Sequence, residues 1–194
     1  MTASTEPRRV VLAEDEAIIR MDLKEMLEEE GFDVVGEAAD GRKAVDLARE
    51  HRPDLVVLDI KMPGMNGIRA AEIITRERIA AVVILTAFSQ RDLAAQAAQA
   101  GAMAYVVKPF QKSDLLPAIE VALERYGDMS RLEGEVGELE DKLETRKLVE
   151  RAKGVLQEQG LSEDDAYKLM QRAAMDRSLP MAEVARLVLD DGLT

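Results

Sequence analysis

Five short apolar runs alternate with segments of helical periodicity over the first 110 residues of the chain. The runs cover residues 10–13, 32–38, 55–58, 82–85 and about 105–107. Parallel strands need a long connection between them, usually a helix, so this alternation is typical of a parallel sheet covered by helices on both faces. The sequence therefore predicts an α/β domain, and we expect the flavodoxin-like strand order.

Reactive side chains follow four of the five predicted strands. They are Glu14 and Asp15 after the first strand, Asp59 after the third, Thr86 after the fourth and Lys108 after the fifth, and the small Ala87 stands next to Thr86. Ligands of such sheets bind outside the carboxyl ends of the strands, where the strand order reverses. We therefore expect three carboxylates, one hydroxyl and one ammonium group to meet at one edge of the sheet.

This set of groups favours phosphoryl chemistry. Neighbouring carboxylates repel each other, and a hard divalent cation such as Mg²⁺, which keeps several waters, relieves the repulsion. Asp59 could then act as a nucleophile and form an aspartyl phosphate, with Lys108 neutralising the phosphoryl oxygens and Thr86 donating to one of them. The small Ala87 leaves room for that oxygen. For each residue alone, a solvated loop position is the simpler interpretation, but the whole set favours a phosphoryl site.

The order and spacing of these residues resemble the receiver domain of two-component response regulators over residues 8 to about 125. The resemblance rests on the Glu14-Asp15 pair, on Asp59 within Leu-Asp-Ile-Lys-Met-Pro-Gly-Met-Asn-Gly, on Thr86-Ala87 and on Lys108-Pro109-Phe110. Two positions vary from the common pattern, because Glu14 replaces the frequent first Asp and Asn66 stands where Asp is common.

The resemblance implies a role for each matching residue. Asp59 would be the phosphoacceptor for a sensor histidine kinase, and Glu14, Asp15, Asp59 and the backbone carbonyl of Lys61 would bind Mg²⁺. The residues that would bind the phosphoryl group or change conformation on phosphorylation are Thr86, Ala87, Tyr105 and Lys108. The resemblance also implies a cis peptide bond before Pro109.

An enzymatic function receives little support from the sequence. Phosphatases that form an aspartyl-phosphate intermediate have an Asp-x-Asp motif, in which the first Asp is the nucleophile and the second is the general acid and base. Here Lys61 stands in place of the second Asp. The chain has neither the Gly-x-Gly-x-x-Gly nor the Gly-Lys-Ser/Thr phosphate loop. It contains no cysteine, and its one histidine, His51, lies beside a proline in a predicted loop. We therefore predict no catalytic residues, and a phosphatase remains the less favoured alternative.

The charge and the apolar pattern limit the environment of the protein. The net charge of −12 opposes general attraction to nucleic acids or anionic membranes, so a nucleic-acid site would have to be a local basic patch. No apolar run approaches the roughly 18 residues of a membrane span, and residues 1–7 predict a flexible terminus without a signal peptide. The lack of cysteine fits a reducing compartment. We expect a cytoplasmic protein without a membrane partner.

A long helix is predicted after the fifth strand. It begins near Ser113-Asp114, with Pro117 in its first turn, where a missing N–H does least harm. Apolar residues then step by three and four along a predicted linker helix or coiled coil at 126–144: Met129, Leu132, Val136, Leu139 and Leu143. Two interpretations remain open, a helix packed on its own chain and a zipper between two copies.

The charge changes sign where this segment ends. Residues 128–144 contain seven acidic and two basic residues, whereas residues 145–160 contain four basic and two acidic ones. Residues 145–194 show the apolar spacing of three short helices, with Gly160 ending the first, Ser162 and Asp165 opening the second, and Pro180 near the start of the third. The inward-facing residues predicted for the second helix are Ala166, Leu169, Met170 and Ala173. A bundle this small predicts a binding function.

The C-terminal residues resemble the ANTAR domain, the RNA-binding output module of transcription antitermination regulators. The resemblance rests on Arg-Ala-Lys-Gly-Val-Leu at 151–156, Ser-Glu-Asp-Asp-Ala-Tyr at 162–167, Arg-Ala-Ala at 172–174 and Val-Ala at 184–185. It implies binding to RNA hairpins in nascent transcripts, and a homodimer that depends on phosphorylation is a further expectation. The predicted RNA contacts are Arg146, Lys147, Arg151, Lys153 and Arg172. A DNA-binding transcription factor using the bundle like a helix-turn-helix is the alternative.

Overall fold

The computed structural model describes residues 7–87 and 91–190, with the side chains of 91–94 left aside. Residues 1–6, most of the predicted flexible terminus, lie outside the described residues. The chain divides into two compact units between Met129 and Ser130. The predicted domain boundaries after residues 125 and 144 remain predictions, because one continuous helix covers both positions.

The first unit is built on a five-stranded sheet in which every pair of neighbouring strands is parallel. Its strands are β1 (Arg9–Ala13), β2 (Asp33–Ala38), β3 (Leu55–Asp59), β4 (Ala81–Thr86) and β5 (Ala104–Val107). The intervening helices are α1 (Ala17–Glu29), α2 (Gly41–His51), α3 (Gly67–Arg76) and α4 (Arg91–Gln99). The strand order is β2-β1-β3-β4-β5, which confirms the flavodoxin-like prediction.

The central strands are apolar on both faces, because helices cover both sides of the sheet. Along β3, Val56 and Leu58 pack with residues of α2 and α3, whereas Leu55 and Val57 pack with residues of α1 and of the helix after β5. Side chains of a strand point alternately to opposite faces, so a continuous apolar run fills two separate cores. This explains why residues 55–58 show no polar alternation.

Backbone contacts fix the loop that follows β3. The N–H of Gly67 donates to the carbonyl of Ile60 at 3.0 Å, and a Cβ atom at Gly67 would collide with the carbonyl of Asp59. The N–H of Gly41, at the start of α2, donates to the carbonyl of Met65 at 3.0 Å. Two glycines therefore allow the close approach that positions this loop.

Helix α5 (Lys112–Glu158) is longer than the sequence predicts. It begins one residue before Ser113, so Pro117 lies in the second helical turn and not, as predicted, in the first. The expected separation between the linker helix and the first bundle helix is absent, because residues 126–160 contain no proline or other strong helix breaker before Gly160. Gly160 adopts a positive φ of 97° just beyond the helix end.

The second unit contains the end of α5, followed by α6 (Glu163–Arg177) and α7 (Met181–Asp190). Ser162 caps α6 through the N–H of Asp165, at 3.2 Å, as predicted. Leu169 was predicted to face inward but is exposed, because the buried stripe of α6 runs along Ala166 and Met170 instead. The fully buried core residues of this unit are Ala152, Leu156, Ala166, Met170, Val184, Ala185 and Val188.

Candidate functional site

The predicted acidic residues meet at the point where the strand order reverses. Glu14 directly follows β1, and Asp59 is the last residue of β3, the strand next to β1 in the sheet. Glu14 and Asp59 are buried, whereas Asp15 is exposed. Carboxylate oxygens of all three residues lie within 4.8 Å of one another. The sheet topology thus places three acidic groups in one small cluster.

The ammonium group of Lys108 bridges two of these carboxylates. Its Nζ atom lies 2.5 Å from Oε2 of Glu14 and 2.7 Å from Oδ1 of Asp59. Lys108 follows β5, and its backbone N–H donates to the carbonyl of Thr86 at 2.7 Å. The peptide bond between Lys108 and Pro109 is cis, as the family resemblance implies. The second oxygen of Asp59 accepts a hydrogen bond from the N–H of Lys61 at 2.8 Å.

Burial and the neighbouring charges shift the pKa values of Glu14 and Lys108. Burial raises the pKa of Glu14, and the negative charge of Asp59 raises it further, while the hydrogen bond from Lys108 acts in the opposite direction. Burial lowers the pKa of Lys108, but its hydrogen bonds to Asp59 and Glu14 together raise it above the ordinary value. Lys108 therefore stays protonated, because it faces two anions whereas Glu14 faces one cation and one anion.

The donor set fits Mg²⁺. The cluster offers carboxylate oxygens from Glu14, Asp15 and Asp59, which are the ligands that hard divalent cations prefer. One ammonium group balances three carboxylates, so the cluster keeps a net negative charge that a dication would neutralise. The carbonyl of Lys61 as a further ligand remains a prediction. A bound Mg²⁺ would supply Lewis-acid stabilisation of phosphoryl oxygens.

The predicted switch residues lie at the ends of β4 and β5. Thr86 is the last residue of β4 and is buried, and Ala87 follows it as an exposed residue. Tyr105 pairs with Ile84 across the two strands, and about half of its surface is exposed. Thr86 and Lys108 are therefore joined through the backbone, while Tyr105 lies on the outer strand of the sheet.

One residue of this site escaped prediction. Arg20, on α1, donates through Nη1 to the backbone carbonyl of Glu14 at 2.5 Å, and its Nε atom lies 3.6 Å from Glu37. The N–H of Glu14 donates to the carbonyl of Ala38 at 3.1 Å. Together these bonds hold the backbone of the acidic loop from both sides. In the sequence, Arg20 looks like any polar residue on the solvent-facing side of a helix. Its contact with the carbonyl of Glu14 becomes visible only in the folded chain.

We expect Glu14→Gln to weaken Mg²⁺ binding by about 10- to 100-fold and to stabilise the metal-free protein. A group whose pKa is raised by folding stabilises the fold at low pH and loses that contribution as the pH rises, so ionised Glu14 lowers stability at pH 7. Titration calorimetry with Mg²⁺ and thermal unfolding in chelator would measure the two effects. Glu25→Gln, an exposed position on α1, is the control. A lower unfolding temperature or unchanged Mg²⁺ affinity would contradict this assignment.

The basic residues predicted to bind RNA do not share one environment. Arg146, Arg151 and Arg172 are exposed, and Lys147 is exposed with a surface ion pair to Glu144 at 3.0 Å. Lys147 and Arg151 are four residues apart and so share one face of α5, whereas Arg146 is rotated by about 100° from Lys147.

Lys153 is poorly placed for the RNA contact that the sequence predicts for it. It is buried, and its Nζ atom lies 3.0 Å from Glu150 and 2.8 Å from Glu163. These ion pairs link α5 to the start of α6, so the charge of Lys153 is balanced within the chain. Tyr167, the aromatic residue of the resemblance, is exposed over 44% of its surface.

Two family models match the chain. The model described as "Response regulator receiver domain" matches residues 10–120, and the model described as "ANTAR domain" matches residues 137–189. The first match contains the acidic cluster and Lys108, and the second contains the end of α5 together with α6 and α7. Within the described residues, no helix combines the length and the apolar character needed to cross a membrane.

Known proteins are similar to nearly the whole chain or to about three fifths of it. The "Transcriptional regulatory protein PdtaR" of Mycobacterium tuberculosis is 62% identical over 95% of this chain and 90% of its own length. A two-component response regulator of the LuxR family from Aurantimonas is 37% identical with a TM-score of 0.57, covering 61% of this chain and 86% of that chain. A structure of the CheX-CheY-BeF3-Mg complex from Borrelia burgdorferi has 30% identity and a TM-score of 0.56, covering 58% of this chain and 87% of that one. The chain therefore belongs to the two-component response regulators that join a receiver domain to a transcription-regulating ANTAR domain.

Proposed function

We propose that a sensor histidine kinase phosphorylates Asp59 and that this modification controls RNA binding by the ANTAR domain, which promotes transcription antitermination. The observation that carries the first part is the position of Asp59, whose carboxylate contacts Lys108 on one oxygen and the N–H of Lys61 on the other. A nucleophile held in this way needs little reorientation before reaction.

The phosphoryl transfer uses the chain's own groups in distinct roles. A carboxylate oxygen of Asp59 attacks phosphorus and forms the new O–P bond, while the P–N bond of the kinase phosphohistidine breaks and its electron pair returns to the imidazole. The ammonium group of Lys108 lies beside Asp59 and balances charge on the transferred group. Thr86, at the end of the neighbouring strand, donates its hydroxyl to a phosphoryl oxygen, and the small Ala87 leaves space beside it.

Formation of the aspartyl phosphate changes the charges around Lys108. The phosphoryl group competes with Glu14 for the ammonium, and the hydroxyl of Thr86 turns toward the new oxygens. Tyr105 lies on β5, next to the strand that carries Thr86, and changes its exposure in response. The result is a second conformational state of the receiver domain, which is the proposed product of the reaction.

The output is RNA binding by the second unit. Arg146, Lys147, Arg151 and Arg172 are exposed and supply phosphate contacts, and Tyr167 offers an exposed ring for stacking on a base. Lys153 is left out of this set because its ammonium group is paired with two carboxylates. RNA hairpins in nascent transcripts are the proposed ligands, and binding there would favour transcription past a terminator.

A DNA-binding output is the second candidate, and a competition experiment separates the two. Full-length protein, with and without BeF3 and Mg²⁺, would be mixed with a labelled RNA hairpin and challenged with unlabelled hairpin RNA or duplex DNA. The similar CheY chain is found in a complex with these same two reagents, which supports their use as probes. We expect hairpin RNA to compete at least about 10-fold better than duplex DNA. Preference for the duplex would reject the RNA proposal.

A homodimer that depends on phosphorylation is the remaining part of the proposal. A second copy would double the number of basic residues available to one RNA and so increase its overall affinity. Light scattering on the same sample as the RNA-binding assay, before and after addition of BeF3 and Mg²⁺, tests it. An unchanged molar mass together with a gain in RNA affinity would exclude dimerisation as the cause.

A further inference from the structure

The turn between β1 and α1 carries two residues of the acidic cluster, yet its local sequence does little to fix its shape. The side chains of Asp40, Asn66 and Ser162 cap the starts of α2, α3 and α6 by accepting a backbone hydrogen bond. The start of α1 differs from these three because, within the described part of the chain, the side chain of its N-cap residue, Glu16, makes no capping hydrogen bond. The shape of this turn therefore depends on contacts from elsewhere in the fold.

Two neighbouring residues of β2 supply the missing restraint. The carbonyl of Ala38 accepts the N–H of Glu14 at 3.1 Å. Glu37 acts through Arg20, whose Nε atom lies 3.6 Å from Oε2 of Glu37. The Nη1 atom of the same guanidinium group donates to the carbonyl of Glu14 at 2.5 Å. Both polar groups of the Glu14 backbone are thus tied to β2, one directly and one through Arg20.

The contact of Arg20 is suited to holding a backbone in place. A planar guanidinium group can serve two acceptors at fixed angles, and the Arg20 side chain is only 21% exposed, so solvent screens the contact less than it screens a surface pair. The charges that act on the pKa of the Glu14 carboxyl group are those of Asp59 and Lys108. Arg20 instead contacts the backbone carbonyl, so its substitution should act mainly through the geometry of the turn.

We propose that Arg20 is a positioning residue of the acidic cluster: it holds the turn after β1 so that the two carboxylates of the turn face Asp59, and it thereby sets the affinity of the cluster for Mg²⁺. Carboxylate oxygens of Glu14, Asp15 and Asp59 lie within 4.8 Å of one another, and Mg²⁺ demands near-ideal ligand geometry, so a small shift of the turn would weaken a shared site. The inference rests on the phosphorylation site of the proposed function and is independent of its RNA-binding output.

Arg20→Met tests the proposal because a positioning role and a purely electrostatic role predict opposite changes in Mg²⁺ affinity. The variant removes the hydrogen-bond donors and the positive charge but keeps an unbranched side chain. Loss of a positive charge near the cluster would by itself strengthen Mg²⁺ binding. Loss of the contact that holds the turn should instead weaken Mg²⁺ binding by about 10-fold, the lower end of the range for residues that orient metal ligands.

Lys24→Met is the matched control. It also removes one positive charge from α1, one turn further along the helix, and Lys24 is a second basic partner of Glu37, at 2.8 Å. We expect its Mg²⁺ affinity to stay within about 2-fold of the wild type. Arg20→Lys keeps a donor that can reach the carbonyl but loses the planar fork, and should recover part of the affinity that Arg20→Met loses.

Titration calorimetry and thermal unfolding at increasing Mg²⁺ concentrations, both on the full-length protein, measure the affinity without a phosphodonor. Unfolding in chelator shows whether each variant folds, and if Arg20→Met gives no cooperative transition, Arg20→Gln takes its place. Phosphorylation by a small phosphodonor adds a second readout: the Mg²⁺ concentration at half-maximal rate should rise about 10-fold in Arg20→Met, while the rate at saturating Mg²⁺ stays within about 2-fold. A general structural defect would lower the saturated rate as well.

A double-mutant cycle tests the link through Glu37. Glu37→Gln alone should weaken Mg²⁺ binding by about 3-fold, because Arg20 loses the partner that orients it but keeps its contact with the carbonyl. The same substitution in the Arg20→Met protein should have little further effect. Two effects that simply add would reject the link.

The outcomes separate this inference from the proposed function. If a folded Arg20→Met protein binds Mg²⁺ as tightly as the wild type or more tightly, the positioning role is overturned, while the phosphorylation site stands. If the wild type itself binds no Mg²⁺, the metal site is rejected and the role of Arg20 is rejected with it.

Discussion

Asp59→Asn is expected to reduce phosphorylation by a cognate kinase or a small phosphodonor to below about 1% of the wild-type level. The amide of Asn lacks the anionic oxygen that attacks phosphorus. No other carboxylate of the cluster is equivalent, because Glu14 is fully buried against Lys108 and Asp15 is exposed. The phosphorylated fraction can be measured on gels that retard phosphoproteins, together with a hydroxylamine-sensitivity assay for the acyl phosphate.

The fold should survive this substitution. The side-chain oxygen of Asn can still accept the hydrogen bond from the N–H of Lys61, which the carboxylate accepts at 2.8 Å. Asp46→Asn, on the exposed face of α2, removes one carboxylate at a distance from the cluster and should phosphorylate normally. If the Asp59→Asn protein still retained a labelled phosphoryl group, the phosphoacceptor would be a residue other than Asp59. If phosphorylation were lost without any change in RNA affinity, phosphorylation of Asp59 would not control RNA binding, and that part of the proposed function would be rejected.

The double charge reversal Lys147→Glu/Arg151→Glu is expected to lower the affinity for an RNA hairpin by about 100-fold or more at moderate salt. Both residues are exposed on one face of α5, and Lys147 forms a surface ion pair with Glu144 that costs little to break. Each phosphate contact releases counterions from the RNA, so removing two contacts should also reduce the slope of log affinity against log salt by about 1.4 to 1.8.

Filter binding or fluorescence anisotropy at several salt concentrations gives both quantities. Arg42→Glu/Lys43→Glu is the matched control, because it makes the same change of net charge on exposed positions of α2 in the other unit. A long-range effect of net charge would weaken RNA binding equally in both double variants. A local phosphate contact predicts a large effect for the α5 variant and a small one for the control. Equal effects would therefore remove Lys147 and Arg151 from the proposed interface.

The local sequence was sufficient to predict most of the receiver fold. Short apolar runs separated by helical patterns are typical of a covered parallel sheet. Gly31 and Gly101, just beyond the ends of α1 and α4, adopt a positive φ. The ends of β1, β3, β4 and β5 also follow from the sequence, because polar residues stop each apolar run. Once the strands are parallel, their carboxyl ends must share an edge, and so Glu14 and Asp59 come together.

The structure shows features that the local pattern does not record where the sequence carries no decisive signal. No proline lies near residue 144, so α5 continues as one helix through the predicted boundary between the linker and the bundle, and that boundary stays a prediction. Lys153 looked like other solvated basic residues of α5, but packing of α6 brings Glu163 within 2.8 Å of it. Leu169 matched the helical stripe of α6, yet only Ala166 and Met170 are buried.

The sequence by itself determined the order of the strands and helices, the residue types at each strand end and the apolar spacing of α5, because these follow from short-range steric and hydrophobic preferences. The tertiary structure decided which side chains contact one another. Only folding places Arg20 on the carbonyl of Glu14, inserts Lys108 between two carboxylates and buries Lys153. These contacts join residues distant in the chain, and their free energy depends on burial and geometry, which no local pattern records.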